Sequence, residues 1–401
     1  MSLRKWGLVA LGFALSLFSV TPAAASNIQI ERSGNTYHKA ACSRNVRFGH
    51  ARCFAHVVTD ARGNIRTFQP NGRPNFGFTG YTPADFQSAY KLPAGAGSST
   101  YTIAIVDAFA YPNAEQDLAT YRAKYGLPPC TTANGCFRKV DQRGGTNYPT
   151  TVDVGWDQEQ ALDLDMVSAA CPNCHILLVQ GDSDLVSDLA IATNEAAALG
   201  AKAISNSYGL AENTAFSTYE SSYNHPGVAV IASTGDSGYG VQFPADTPYV
   251  TAVGGTSLSK ASNTRGWSET AWSGAGSGCS SIYAKPTWQT DTLCARRMVA
   301  DVSADADPNT GASVYGPTSS TATGWMIIGG TSLSAPFIAG VYGANGGAVN
   351  YGSDPYAHTS ALFDVTSGKN GSNCGKTYFC TSVVGYDGPT GLGTPNGTSA
   401  F

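Results

Sequence analysis

The sequence predicts an α/β domain, a mostly parallel central sheet flanked by helices, preceded by a short segment of different character. Three observations lead there. From Tyr81 onward, short apolar runs alternate with helical stretches. Most of these runs are rich in β-branched residues and bounded by Gly, Asp or Asn, as buried parallel strands are. Residues 26–78, by contrast, are rich in Arg, His and Asn and show little periodicity. With 401 residues, 42% of them hydrophobic, the chain can bury a large core.

Taken in order, Arg4 and Lys5, the apolar run 8–20 and Ala23-Ala24-Ala25 read as a signal peptide over 1–25. Secretion is therefore expected, to the exterior or to a periplasm. Residues 26–78 are expected to be a short propeptide or an N-terminal extension, and 79–401 the main domain. Strands are predicted at 102–106, 175–179, 203–207, 228–232 and 249–253, with helices at 113–125, 157–170 and 184–199. Residues 260–401, rich in Gly, Ser and Thr, read as mostly loop apart from a helix at 334–344.

The formal charge is −4, only 13% of residues are charged, and no basic run occurs, so nucleic acid is a poor partner. No second apolar run has membrane length, and a soluble monomer without a membrane partner is expected after leader removal. The ten cysteines fall into five close pairs, 42/53, 130/136, 171/174, 279/294 and 374/380, which in an exported chain suggests disulfides between neighbours.

Chemistry enters at Gly329-Gly330-Thr331-Ser332, a tight glycine turn ahead of a helix predicted to open near Pro336. A serine at such an entry is exposed and sits where backbone N–H groups favour developing negative charge. The pentapeptide Gly-Gly-Thr-Ser-Leu occurs twice, at 254–258 and 329–333, so Ser257 is a rival. No apolar helix follows the first copy, which favours Ser332.

A nucleophilic serine needs a base, usually histidine. Of six histidines, His38, His50 and His56 fall in the front segment, His225 precedes a proline, His358 lies in a polar loop and His175 opens a strand. None lies in the His-Gly-Thr setting of subtilisins, although the run 103–107 ending in Asp107 is similar to their aspartate strand. The helix 157–170 offers Glu159 and Asp163 instead, at i and i+4, about 40° apart on one face. An exposed acidic face is the plain reading, but Met166 and Ala170 continue the same face and could turn it inward. Two buried carboxyls cannot both ionise easily, so one would hold a proton for the other. Glu159 could then serve as base in acid, where imidazole is protonated. Asp157 and Asp165 point away from that face.

Ser233-Thr234-Gly235-Asp236-Ser237-Gly238 places Asp236 at the C-terminal end of a strand, where α/β folds build sites. Glu159-x-x-Leu162-Asp163, this Asp236 segment and Gly330-Thr331-Ser332-x-x-x-Pro336, in that order, resemble the sedolisin family, the serine-carboxyl peptidases of subtilisin-like fold. The likeness extends from about residue 80 to the C-terminus. It implies an acid-active secreted peptidase acting on peptide or protein substrates, with Ser332 as nucleophile, Glu159 as general base, Asp163 as its partner and Asp236 as a protonated oxyanion donor. It also implies one structural Ca2+ near Asp364, Val365, Val383, Gly385 and Asp387, hard oxygen ligands from two carboxylates and backbone carbonyls. Val383 stands where the family often has glycine, and the front segment is shorter than the family's usual propeptide.

Two other classes compete. A sedolisin-like scaffold could bind peptides without cutting them, although all four catalytic positions are filled. Cys171-Pro172-Asn173-Cys174-His175 satisfies the attachment pattern of a c-type haem, but four further cysteine pairs already call for disulfides.

Overall fold

The computed structural model describes residues 1–2, 29–68 and 79–401. The expected leader beyond Ser2 and the stretch 69–78 lie outside the described residues. The front segment supplies β1 (Glu31–Ser33), β2 (Thr36–Ala40), β3 (Arg52–Cys53) and β4 (His56–Thr59). Then follow α1 (Pro83–Ala89), β5 (Thr102–Ala108), α2 (Ala114–Lys124), β6 (Phe137–Asp141), α3 (Val154–Ala170), β7 (His175–Gly181), α4 (Val186–Ala198), β8 (Ala203–Asn206) and β9 (Tyr208–Ala211). The second half holds β10 (Ala229–Ser233), β11 (Gln242–Phe243), β12 (Thr251–Lys260), β13 (Trp267–Ala271), β14 (Gly278–Ala284), β15 (Arg296–Val299), β16 (Val302–Asp305), β17 (Ala312–Ser319), β18 (Ala322–Gly329) and α5 (Thr331–Asn345).

The central sheet runs β13-β12-β10-β8-β5-β7-β6, with β16 also on β12, and only β13 is antiparallel. Its two faces follow from strand alternation. In β5, Ile103 and Ile105 pack with Leu162 and Met166 of α3 and Ile338 of α5, whereas Ala104 and Val106 face Leu189 and Ala192 of α4. This is the α/β architecture the sequence predicts. Helix α3, started by the Asp153 side chain accepting from Trp156 N, is buried along every residue from Gly155 to Ala170. It therefore has no solvent face, and its polar side chains must find partners inside: Gln158 donates to Pro317 O and Gln160 to Ala108 O.

Three expectations need correction. Residues 260–401 are not mostly loop: β13 to β18 lie there, and β17 and β18 form an antiparallel hairpin. Glycine hid the strands, for helix α3 packs so close that a Cβ at Gly316 of β17 would stand 2.6 Å from Ala161 Cβ. The predicted strand 249–253 begins at Thr251 and continues to Lys260, so Ser257 lies within it, donating to Asp307 Oδ2 at 2.7 Å. Helix α5 opens at Thr331, with Pro336 inside it, because its first N–H is capped from another loop as described below. The front segment, for which no elements were predicted, contains strands: β1, β2 and β4 extend the β17–β18 hairpin into a sheet of order β1-β2-β4-β18-β17, and β3 joins β9 and β11.

All five disulfides join the expected neighbours: Cys42–Cys53, Cys130–Cys136, Cys171–Cys174, Cys279–Cys294 and Cys374–Cys380. The pair 171/174 thus uses both sulfurs of the haem-like pattern on each other. Among the described residues no helix is long and apolar enough to cross a membrane.

Candidate active site

Ser332 is the second residue of α5, entered through Gly330 at φ +102°. Only glycine suits that turn, since a Cβ there would also lie 1.9 Å from Phe54 O and 2.6 Å from Asp236 Oδ2. The helix end is held by Asp236, from the loop after β10: its Oδ1 accepts from Thr331 N at 2.9 Å and Thr331 Oγ1 at 2.7 Å. Thr331 Oγ1 in turn accepts from Gly235 N at 3.1 Å. The Ser332 hydroxyl donates to Ser207 O at 3.0 Å, just past the end of β8.

Glu159 and Asp163, one turn apart on α3, are both completely buried. Glu159 Oε2 accepts from Ala55 N at 2.9 Å. Burial and the charge of Asp163 push the Glu159 carboxyl well above its ordinary range, and the Ser332 hydroxyl and the Ala55 amide offset this only in part. Asp163 is raised likewise, by burial and then by Asp107, eased by Ser207 and Glu159. Asp107, at the end of β5, is raised by burial and then by Glu159. Glu159 Oε1 and both oxygens of Asp163 and Asp107 accept no hydrogen bond of good geometry among the described residues, although the Ser207 hydroxyl and the Glu159 carboxyl stand close enough to Asp163 to act on it. Three carboxyls so placed are stable together only if protons are shared among them, each proton supplying the donor its neighbour lacks.

Asp236 is raised to about 7, chiefly by burial, while Thr331, Arg52 and Arg44 pull it down. Its second oxygen, Oδ2, accepts no hydrogen bond among the described residues. When protonated it can donate to an oxygen beside Gly330, the place where Phe54 O now lies.

The four expected catalytic residues are thus brought together from α3, the loop after β10 and the start of α5. Ser257 lies apart from them on β12, and Asp165 is engaged elsewhere, accepting from Tyr315 N at 3.0 Å. Asp157, at about 7 through burial and the charge of Asp153, is not among the groups acting on Glu159.

Sequence reasoning missed three participants. Asp107 carried a signal, an aspartate at a strand's C-terminal end, but no role was assigned to it. His56 had been set aside with the other histidines, yet its Nε2 lies 3.5 Å from Asp236 Oδ2, and its Nδ1 is 2.9 Å from Nδ1 of His38. It addresses Asp236 rather than Ser332. The third is the main chain of Phe54 and Ala55, for which side-chain motifs carry no signal. Beside Asp236 a cleft of about 460 Å³, lined in part by Glu31, His38, Arg44 and Trp272, opens towards solvent.

The residues expected at a cation site also converge. Asp364 Oδ2 accepts from Gly385 N at 2.8 Å, Asp387 Oδ2 from Val383 N at 2.9 Å, and Val365 O lies 3.5 Å from the Thr390 hydroxyl that also bonds Asp387. The Asp364 and Asp387 carboxylates and the Val365 carbonyl are hard oxygen donors of the kind Ca2+ takes.

Residues 145–350 match the model of the Subtilase family. Kumamolisin of Bacillus sp. (strain MN-32) is 31% identical over 360 residues, covering 80% of this chain and 62% of that protein. Sedolisin of Pseudomonas sp. (strain 101) is 26% identical over 367 residues, covering 79% of this chain and 60% of that protein. A structure of Pseudomonas sedolisin, a serine-carboxyl proteinase complexed with two molecules of pseudo-iodotyrostatin, superposes with a TM-score of 0.67 at 26% identity. It covers 79% of this chain and 96% of that one. The chain spans 60–62% of the length of these two curated relatives.

Proposed function

Because the chain belongs to the subtilase family, among its sedolisin members, we propose that it is a secreted serine-carboxyl peptidase that cleaves peptides or proteins in acid. The observation that carries this reading is the Glu159–Asp163–Asp107 cluster, closed off from water against the Ser332 hydroxyl, whose hydrogen-bond partners among the described residues include no histidine. Ser332 Oγ attacks the substrate carbonyl carbon and its proton passes to Glu159. Asp163 and Asp107 hold the shared protons that let Glu159 cycle between base and acid. Protonated Asp236 donates to the carbonyl oxygen as it gains charge. Glu159 then protonates the departing amine, and water releases the acyl group by the same steps in reverse roles. All of this requires at least Asp236 to be protonated, which favours pH below about 7.

Residues 26–78 act in this reading as a propeptide. Asp364 and Asp387, with carbonyls of Val365, Val383 and Gly385, would hold one Ca2+, which would tie the C-terminal loops together. The ion's chemistry there is structural, and no catalytic step uses it.

The test is hydrolysis of an unfolded protein substrate between about pH 3 and 7, with Ser332→Ala as control. Acid-favoured activity lost in the variant is expected. Equal activity in both proteins, or none in either, would refute the reading, and the latter would favour a binding protein.

A further inference from the structure

The front segment runs through the site in an extended form. β3 lies antiparallel to β9, with Arg52 opposite Gly209 and Cys53 opposite Tyr208, so that it adds a strand to the β9–β11 pair. An extended peptide on a sheet edge is held by main-chain hydrogen bonds, and its side chains select pockets. Phe54 N approaches Ser207 O at 3.4 Å and Ser332 Oγ at 3.0 Å. The next amide, Ala55 N, donates to Glu159 Oε2. The carbonyl between them sits against Gly330, beside Asp236 Oδ2. Nucleophile, base and oxyanion donor thus surround a single peptide bond, Phe54–Ala55. The Phe54 ring, 1% exposed, fills a pocket made by glycines: a Cβ at Gly209 would stand 2.9 Å from its edge, and one at Gly235 3.5 Å.

We propose that residues 52–56 are the chain's own ligand in substrate position, so that the site takes extended peptides with a bulky aromatic residue before the scissile bond. This rests on the peptidase reading above. The segment is braced on both sides of the presented bond. Cys42–Cys53 closes a loop immediately before it. β2, from before the bond, pairs with β4, from after it, and Ala41 N donates to Ala55 O at 2.8 Å. If Ser332 Oγ bonds to the Phe54 carbonyl carbon, the C–N bond to Ala55 breaks and the amine leaves with the proton from Glu159. β4 keeps that amine beside the acyl group, paired to β2 and β18. Its return to the acyl carbon then outpaces attack by water, so the segment stays a ligand rather than a spent substrate.

The test compares peptides identical except for Phe or Ala before the scissile bond. For turnover by the wild-type full chain, kcat/KM should favour Phe by about 10²-fold or more. In a Ser332→Ala, Phe54→Ala protein, where catalysis is irrelevant, the Phe peptide should bind at least about tenfold tighter. Gly209→Ala, which shrinks the pocket, should lower the preference if Phe54→Ala does not fold. Absence of turnover in every form would count against the peptidase reading, while the binding comparison would still decide this one. Equal binding of the two peptides, or an active enzyme indifferent to Phe, would overturn it.

Discussion

The carboxyl cluster of the main body and the histidine pair of the front strands are both buried and meet at Asp236, but protons act on them in opposite senses. Glu159, Asp163 and Asp107 have pKa values raised in the folded state. Their protonated forms suit the fold, so the stability they contribute is complete below the unfolded carboxyl range of about 4 and is lost as pH rises towards their folded values. His56 is lowered well below its ordinary value by burial, then by His38, Arg44 and Arg52. His38 is lowered by burial and Arg44, against the opposing pull of Glu31 and Asp307. Their contribution is complete above about 6.5 and is lost as pH falls. Glu31, 3.8 Å from His56 and 4.0 Å from His38, softens this without reversing it. Acid therefore tightens the machine and loosens the segment that fills its cleft, two responses that a single titrating group could not give.

The sharpest way to break the comparison is to silence the cluster. Glu159→Gln removes the proposed base and should lower kcat/KM by about 10⁴-fold or more, as removal of a triad member does. It should also raise the melting temperature at neutral pH while changing it little near pH 4, which differential scanning calorimetry would read; loss of stability at both would contradict the raised pKa. The reciprocal change is His56→Gln, with His38→Asn in support. Hydrogen exchange of residues 29–59 should show wild-type β2 and β4 losing protection as pH drops below about 6.5, whereas the variant's protection should vary much less with pH. A smaller effect is expected at the C-terminal loops, far in sequence from both groups. Chelation should lower the melting temperature by a few degrees, corresponding to about 2.7 kcal/mol for a cation held at a hundred times its Kd. It should leave the acid loosening of β2 and β4 where it was.

Legibility in the sequence followed the same divide. β5 could be read because its alternation serves two helix layers at once, and Ser332, Glu159, Asp163 and Asp236 could be placed because each sits at a fixed offset from a turn or a helix start. The front strands could not. β1 to β4 are two to five residues long, and β4 pairs with Ile328 and Gly329 at the far end of the chain. The burial of His38 and His56 is imposed by that distant pairing, not by a local apolar pattern. The face argument for α3 rested on an incomplete reason, since a helix buried all round has no exposed face from which an acidic pair could be excluded. β17 and β18 were missed because the glycines that permit close packing look like the glycines of loops.

The repeated pentapeptide shows what is portable in this molecule. At 254–258 the five residues lie in the middle of β12, and at 329–333 the same five end β18 and begin α5. The word itself therefore specifies neither conformation nor reactivity. To graft the proposed nucleophile onto another scaffold, the smallest transferable module is the second copy with the rest of α5 and the Gly235-Asp236 clasp that fastens its first turn.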